Sequence, residues 1–547
     1  MSESVRSHGL GGVTALHEAL ARLNGWPALG LAALFGAFSA LAYAPFHLFP
    51  CLAISFTALI WMLDGARGQR YWARAMFARG WAFGFGFFLI SMFWTAQPFL
   101  VEPEKHAAFL WMPLIALPGG LALIWGATCA LAGAFWSSSP SRVFVFALFF
   151  ALAEFVRGVL FGGFPWNIPG TTWAPGGPLS QLAAIGGVYW LSMVTVFVMS
   201  TPAALADTRD TRGMLLRFSP AILAAAILGG GWTWGLQRLS ADAVMSDYTV
   251  VLMDAGVPQA EKFDRDGEPV LVRYANLLRD VPSEPGDIVI WPEGAMPFDL
   301  LQSNTALDII SAFLDRRSLI VGTARRGGQA GSPVFYNSLA IFKSGPNTAE
   351  MVALYDKHRL VPFGELAAIH IVPFGEQIAG ILPGAVQRIA ESGFRPGLEP
   401  RVLLPEDIMP PVIPLICYEG LYPELVRKAV PQRELAEWIV VISNDAWFGA
   451  LSGPAQHYAQ NRYRAIESGL PMARVASRGI TAVVDPFGRE IARGNPVQGD
   501  PSGWRSSVVR SPLPVPTNTP MYQRLGPAVY WLSLVLLSLF SFLSWRR

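Results

Sequence analysis

Charge is scarce in this chain of 547 residues: Asp, Glu, Lys and Arg make up 15% of it, against 52% hydrophobic residues, and the mean hydropathy is +0.38. Soluble proteins carry roughly a quarter of their residues as charged side chains, so a purely soluble protein is excluded. Forty-one basic and 39 acidic residues leave a formal charge of +2, too small for a nucleic-acid backbone to be the main partner. The three cysteines and seven histidines show no metal-ligand spacing, and no glycine-rich segment sits in a strand-to-helix phosphate loop. Neither a metal nor a cofactor is expected. No cleavable signal pattern, long-period repeat or low-complexity tract is present.

Long apolar runs are what the chain has instead. Between Trp81 and Ser200 only six charges occur: Glu102, Glu104, Lys105, Arg142, Glu154 and Arg157. A hydrocarbon core ~30 Å thick is crossed by about 20 apolar residues in a helix, which satisfies its own backbone groups in lipid. Seven such runs precede residue 240, at 27–46, 50–63, 81–99, 108–136, 143–161, 183–206 and 219–236, and an eighth extends from Gly526 to Trp545. The expected organisation is a membrane domain over 1–240, an exported domain over 241–525, and a closing span with a short basic tail over 526–547.

Short cytoplasmic loops collect Lys and Arg. Arg67, Arg70, Arg74 and Arg79 follow the second span, Arg209, Arg212 and Arg217 follow the sixth, and Arg546 and Arg547 end the chain. All fall on one side, which places both termini in the cytoplasm and residues 241–525 across the membrane. Glu154 and Arg157 share a helix face within one span, where a structural ion pair is favoured over lipid-headgroup binding. Gly229–Gly231 is read as close helix packing.

The exported part has the alternation of an α/β domain. Strand-like runs occur at Tyr248–Met253, Asp287–Trp291, Ser318–Thr323, Ser338–Phe342, Met351–Tyr355, Val412–Cys417, Trp438–Ser443 and Ile480–Val484, with helical patterns at Pro269–Arg279 and Ala306–Arg316. Cys51 and Cys129 fall in spans, leaving Cys417 as the only cysteine of this domain. A lone thiol outside the cytoplasm is either buried and inert or kept for its reactivity. Cys417-Tyr-Glu-Gly420 reads as a sharp turn after a buried strand, a position that exposes a nucleophile at a sheet edge. Glu293, Lys357 and the pair Asn444-Asp445 also end strands, where α/β sheets form their ligand crevice. Each alone is an ordinary loop residue; together they can converge.

Trp291-Pro-Glu293, Tyr355-Asp-Lys357-His-Arg-Leu-Val-Pro-Phe-Gly-Glu365, Ile416-Cys417-Tyr418-Glu419 and Ser443-Asn444-Asp445-Ala-Trp447-Phe448-Gly449 closely resemble the motifs of the nitrilase superfamily. Combined with Ala42-Tyr-Ala-Pro45-Phe46, Glu154-Phe-Val-Arg157-Gly158 and Gly163-Phe-Pro-Trp166, the pattern resembles the apolipoprotein N-acyltransferase family of bacterial inner membranes. The resemblance implies an αββα sandwich and a triad of Glu293 as general base, Lys357 as electrostatic stabiliser and Cys417 as nucleophile. It further implies supporting roles for Glu365, Tyr418 and Glu419. Eight-residue spacing from Lys357 selects Glu365 over Glu376 of the repeated Val372-Pro-Phe-Gly-Glu376. Phe263, Asn444, Trp447 and His457 are candidate substrate contacts, with core packing the rival for Phe263 and an ordinary hydrogen-bonded role the rival for His457.

The implied reaction transfers an acyl chain from a phospholipid to the α-amine of a diacylglyceryl-cysteine on an apolipoprotein, through a thioester on Cys417. Residues 360–398 are unusually apolar and are read as a lid dipping into the bilayer, against the rival of a satellite core under a loop. The competing functions are a membrane-anchored amidase or nitrilase and a transporter with an inactive binding domain.

Overall fold

The computed structural model describes residues 3–545 except 102, 138, 208–213, 258–266, 282–283, 330–331, 363, 366–392, 406–407, 430–435 and 495–505. The long helices of the first part, among the described residues, are α1 (Glu3–Arg22), α2 (Gly25–Ser39), α3 (Phe49–Arg67), α4 (Trp72–Ser91), α5 (Leu117–Ala134), α6 (Arg142–Val159), α7 (Ala183–Ser200) and α8 (Met214–Leu239), with short helical turns between them. Among the described residues five helical stretches are long and apolar enough to cross a membrane, or six if α4 and the segment Phe93–Leu100, bent by 50°, form one span. The last two runs expected as spans are helical, as α8 and as α13 (Ala528–Trp545), but fall outside that set.

Small residues let these helices touch backbone to backbone, the close approach that dispersion requires in lipid. A Cβ on Gly36 would lie 1.9 Å from the Phe83 carbonyl oxygen, and one on Gly86 would lie 1.9 Å from that of Ala33, so α2 and α4 cross on glycine. In α8 only Gly231 of the three consecutive glycines has a close neighbour, Leu182; Gly229 and Gly230 face open space.

The second part is a sandwich of two sheets. One runs in the order β11-β1-β2-β3-β4-β5, from β1 (Met245–Asp254), β2 (Ile288–Ile290), β3 (Ser318–Gln329), β4 (Ser332–Lys343), β5 (Glu350–Asp356) and β11 (Ser507–Pro514). The other runs β10-β9-β8-β7-β6, from β6 (Val412–Ile416), β7 (Trp438–Asn444), β8 (Met472–Ser477), β9 (Ala482–Val484) and β10 (Glu490–Arg493). The triplets β1-β2-β3 and β6-β7-β8 are parallel and largely buried on both faces, which is why all but β8, interrupted by Arg474, read as apolar runs. Inward-facing Val250, Leu252, Ile290 and Ile341 meet Ile416, Trp438, Val440 and Ile442 between the sheets. Outward residues of the first sheet pack on α9 (Glu268–Asp280) and α10 (Asn304–Leu314). Those of the second pack on α12 (Ser452–Ser468), which follows α11 (Pro423–Lys428), giving αββα layers.

Helix α12 also docks the sandwich onto the membrane helices, and one apolar cluster runs through both. Trp94 and Trp166 donate their indole N–H groups to Gln456 Oε1 at 3.1 and 2.8 Å. Tyr463 donates to the carbonyls of Gly170 and Trp173, and the Val188 N–H donates to Glu467 at 2.7 Å.

Glu154 and Arg157 are fully buried and paired with each other. Trp125 donates to Glu154 at 2.8 Å, while Arg157 donates to the carbonyls of Phe164 and Trp166 at 2.6 and 2.9 Å. The pair thus holds the loop after α6 against the sandwich. Arg157→Met strands a buried carboxylate and should lower stability by about 3–5 kcal/mol. Thermal unfolding in detergent measures this; Glu154→Leu in the same chain should restore part of the loss, and an unchanged unfolding temperature for R157M would contradict the assignment.

Candidate active site

Four strand ends bring the expected residues together between the sheets. Glu293 follows β2, Lys357 follows β5, Cys417 follows β6 and Asn444 ends β7. Lys357 is clamped on both sides: its N–H donates to the Asn337 carbonyl at 2.8 Å and its carbonyl accepts from the Gly397 N–H at 2.8 Å. Its ammonium lies 3.1 Å from Glu293 Oε1 and 2.8 Å from Glu365 Oε2. Asn337 bridges the two carboxylates, its Nδ2 donating at 2.7 Å to Oε1 of each. Glu293 Oε2 accepts from the Asn444 N–H at 2.8 Å. Exposure is 7% for Glu293, 1% for Lys357 and 7% for Cys417, so the cluster is nearly dry.

Cys417 opens a short 3₁₀ turn with φ of 52°, the left-handed region that a non-glycine residue occupies only where its surroundings enforce it. Its thiol lies close enough to Glu293 and Lys357 for their charges to act on it, the carboxylate opposing a thiolate and the ammonium favouring one. Glu419 fixes the turn to the lysine segment: Oε2 accepts from the Ile416 N–H at 2.8 Å, and Oε1 accepts from Tyr355 and from the N–H groups of His358 and Arg359. The Tyr418 hydroxyl points away from the charged cluster and donates to the Gly163 carbonyl at 2.7 Å, reaching the membrane loop held by Arg157.

Ionisation follows from this packing. Burial opposes the charge on Glu293, but the Lys357 ammonium and the Asn337 amide outweigh it and hold the carboxyl below its ordinary value. Burial likewise opposes the charge on Lys357, and Glu293 and Glu365 outweigh it, raising the ammonium well above its usual range. Burial and then the Glu293 charge push the Cys417 thiol far up. The resting site therefore holds a carboxylate, an ammonium and a neutral thiol.

His457 is fully buried beneath the nucleophile: Nε2 lies 3.2 Å from the Cys417 carbonyl oxygen and Nδ1 lies 3.0 Å from Asp445 Oδ1. Arg474 reaches Asp445 at 2.8 Å and holds that carboxyl well below the usual range against burial. Trp447 is half-buried on the turn after β7. Phe263 and Glu376 lie outside the described residues, as do 366–392 of the expected lid. On its described flanks Leu360 is buried and Leu398 is 86% exposed. Asn337, Ser443 and Arg474 were not among the sequence candidates. Their signal is a polar residue inside an otherwise apolar strand, visible in Tyr336-Asn337-Ser338 and in Met-Ala-Arg474-Val.

A carbon-nitrogen hydrolase sandwich carried on apolar helices is the class that this arrangement defines: residues 255–499 match the carbon-nitrogen hydrolase family, and residues 35–201 match the apolipoprotein N-acyltransferase N-terminal domain. The chain is 36% identical over 527 residues to the apolipoprotein N-acyltransferase of Caulobacter vibrioides, covering 94% of each protein. It is 36% identical over 484 residues to that of Rhizobium leguminosarum bv. trifolii, covering 84% of this chain and 86% of the relative. Among solved structures, Nit3 of Saccharomyces cerevisiae, a nitrilase-superfamily member, is similar at 16% identity with a TM-score of 0.34, over 50% of this chain and 93% of that one. The chain belongs to the apolipoprotein N-acyltransferase family.

A neutral resting thiol has a kinetic signature. In a Cys51→Ala, Cys129→Ala background, alkylation of Cys417 by iodoacetamide should rise about tenfold per pH unit up to pH ~9, because only the thiolate reacts and its fraction stays small below a raised pKa. A plateau near neutral pH would show a depressed pKa and contradict the assignment.

Proposed function

We propose that this enzyme N-acylates lipoproteins in two half-reactions through a thioester on Cys417. In the first, sulfur attacks the carbonyl carbon of a phospholipid ester while Glu293 takes the thiol proton. Lys357 and the backbone N–H at Tyr418 receive the charge that develops on the carbonyl oxygen, a contribution worth ~3–4 kcal/mol per donor in comparable sites. The tetrahedral species collapses, the C–O bond breaks, Glu293 returns the proton to the glycerol oxygen, and a lysophospholipid leaves. In the second, the α-amine of the diacylglyceryl-cysteine attacks the thioester, Glu293 takes the amine proton and passes it to the departing sulfur, and the amide is released.

The observation that carries this reading is the contact of Lys357 Nζ with Glu293 Oε1 at 3.1 Å, with both charges acting on the Cys417 thiol. Glu365 and Glu419 serve as positioning residues, one on the ammonium and one on the backbone around it. His457, with Asp445 and Arg474, lies against the Cys417 carbonyl and supports the strained turn that carries the sulfur. The catalytic domain works on the periplasmic face of the inner membrane with both termini cytoplasmic, as the arginine-rich loops imply. The amidase alternative is weaker, since relatives covering 94% of the chain carry the acyltransferase name.

Mixing the protein with phospholipid alone should release one equivalent of lysophospholipid per site in a burst, and later addition of a diacylated lipopeptide should discharge the enzyme. Glu293→Gln and Lys357→Met should each slow the burst by about 10²–10³-fold. Release of lysophospholipid only after the acceptor is added would rule out the two-step order.

A further inference from the structure

Arginines around the site are matched to carboxylates: Arg157 to Glu154, Arg325 to Asp356, Arg464 to Glu467 and Arg474 to Asp445. Arg359 differs. Two residues beyond Lys357, it has no carboxylate in ion-pair range among the described residues, and its Nε is buried without a hydrogen-bond partner there. Its main chain is fixed, because its N–H donates to Glu419 Oε1 at 3.0 Å beside that of His358 at 2.8 Å. Its guanidinium carbon stands 4.6 Å from the centre of the Tyr422 ring, which sets the plane of the head group. Tyr422 is fully buried, and its hydroxyl donates at 2.9 Å to the Gly163 carbonyl of the loop after α6. Arg359 is only half-buried, so the cation lies on the seam between sandwich and membrane helices with donor capacity left over.

A guanidinium with no counter-ion among the described residues, in a partly desolvated seam, is arranged for an anion that arrives from outside, and its planar fork suits the paired oxygens of a phosphate. We propose that Arg359 binds the phosphodiester of the acyl-donor phospholipid, while the ester carbonyl of the same molecule lies against Lys357 and Cys417. The proposal rests on the reading of a phospholipid as donor. Arg359 and Lys357 lie two residues apart, which keeps their Cα atoms within about 7 Å and puts both long side chains within the span of one phospholipid head and ester region. The acceptor's diacylglyceryl-cysteine has no phosphate, so Arg359 selects the donor in the first half-reaction and leaves the second without it. A neutral ester of the same chain length lacks the recognised group.

The test compares acyl-adduct formation on Cys417 in the full-length protein from two donors, dipalmitoyl phosphatidylglycerol and para-nitrophenyl palmitate. Second-order rate constants are taken with each donor below saturation. Arg359→Gln should lower the ratio of the phosphatidylglycerol rate constant to the nitrophenyl ester rate constant about tenfold or more, as loss of a charge-assisted contact requires, and Arg359→Lys should recover part of it. An unchanged ratio in R359Q, whether both rates fall together or neither does, would overturn the phosphate assignment while leaving acyl transfer standing. Failure of the wild type to form the adduct from phosphatidylglycerol at all would instead remove the donor reading on which it rests.

Discussion

One ammonium shared between two carboxylates in a nearly dry interior governs the rest of the site. Burying an ion costs several kcal/mol unless its partners and hydrogen bonds replace water. Lys357 meets this condition through Glu293 and Glu365, and Glu293 meets it through Lys357, the Asn337 amide and the Asn444 N–H. No single strand can supply such a set. The two sheets must close on each other for β2, β4, β5 and β7 to deliver it, so the αββα architecture is the means by which three charges become tolerable in one place.

The same electrostatics determine how the sulfur behaves. Burial first, and then the Glu293 charge, disfavour a further anion at Cys417, so the thiol rests protonated. In the proposed reaction thiolate character arises as an electrophile enters and the proton moves. Such an order would suit an enzyme bathed in lipid esters, because a sulfur acting as nucleophile would not be charged until a carbonyl carbon is aligned with it. The turn that carries the sulfur is in turn tied to the membrane part. Tyr418 and Tyr422 both donate to the Gly163 carbonyl, and Arg157 holds the following carbonyls of Phe164 and Trp166. The buried pair in α6 and the Cys417 turn are thus connected by a short series of hydrogen bonds.

Much of this was legible in the sequence because the residues that matter end apolar strands. Glu293, Lys357 and Cys417 each stand at the limit of a short run of Val, Ile and Leu, and the eight-residue spacing picks the glutamate that touches Lys357. Where local pattern failed, a distant partner was responsible. Strand β8 has Arg474 at its centre, a residue that reads as surface until Asp445 from the end of β7 neutralises it. Strand β11 contains Pro512 and is an edge strand, tolerated because it pairs with β1 from far earlier in the chain. Asn337 carries no motif, since its role as a bridge exists only when β4 meets Glu293 and Glu365. His457 was read as a substrate contact or an ordinary hydrogen-bonded residue; only the folded helix α12 brings it under the carbonyl of Cys417. Among the described residues, five or six of the eight runs read as spans form helices that meet the length and hydropathy of a crossing.

The central claim, that these three groups form a covalent acyl-transfer site, is tested most directly by intact-protein and peptide mass spectrometry after incubation with a phospholipid of one chain type and no acceptor. The account predicts a single adduct of that acyl mass on the peptide containing Cys417, removed by neutral hydroxylamine and absent from Cys417→Ala. Persistent absence of the adduct from an active preparation, or its appearance on another residue, would contradict it.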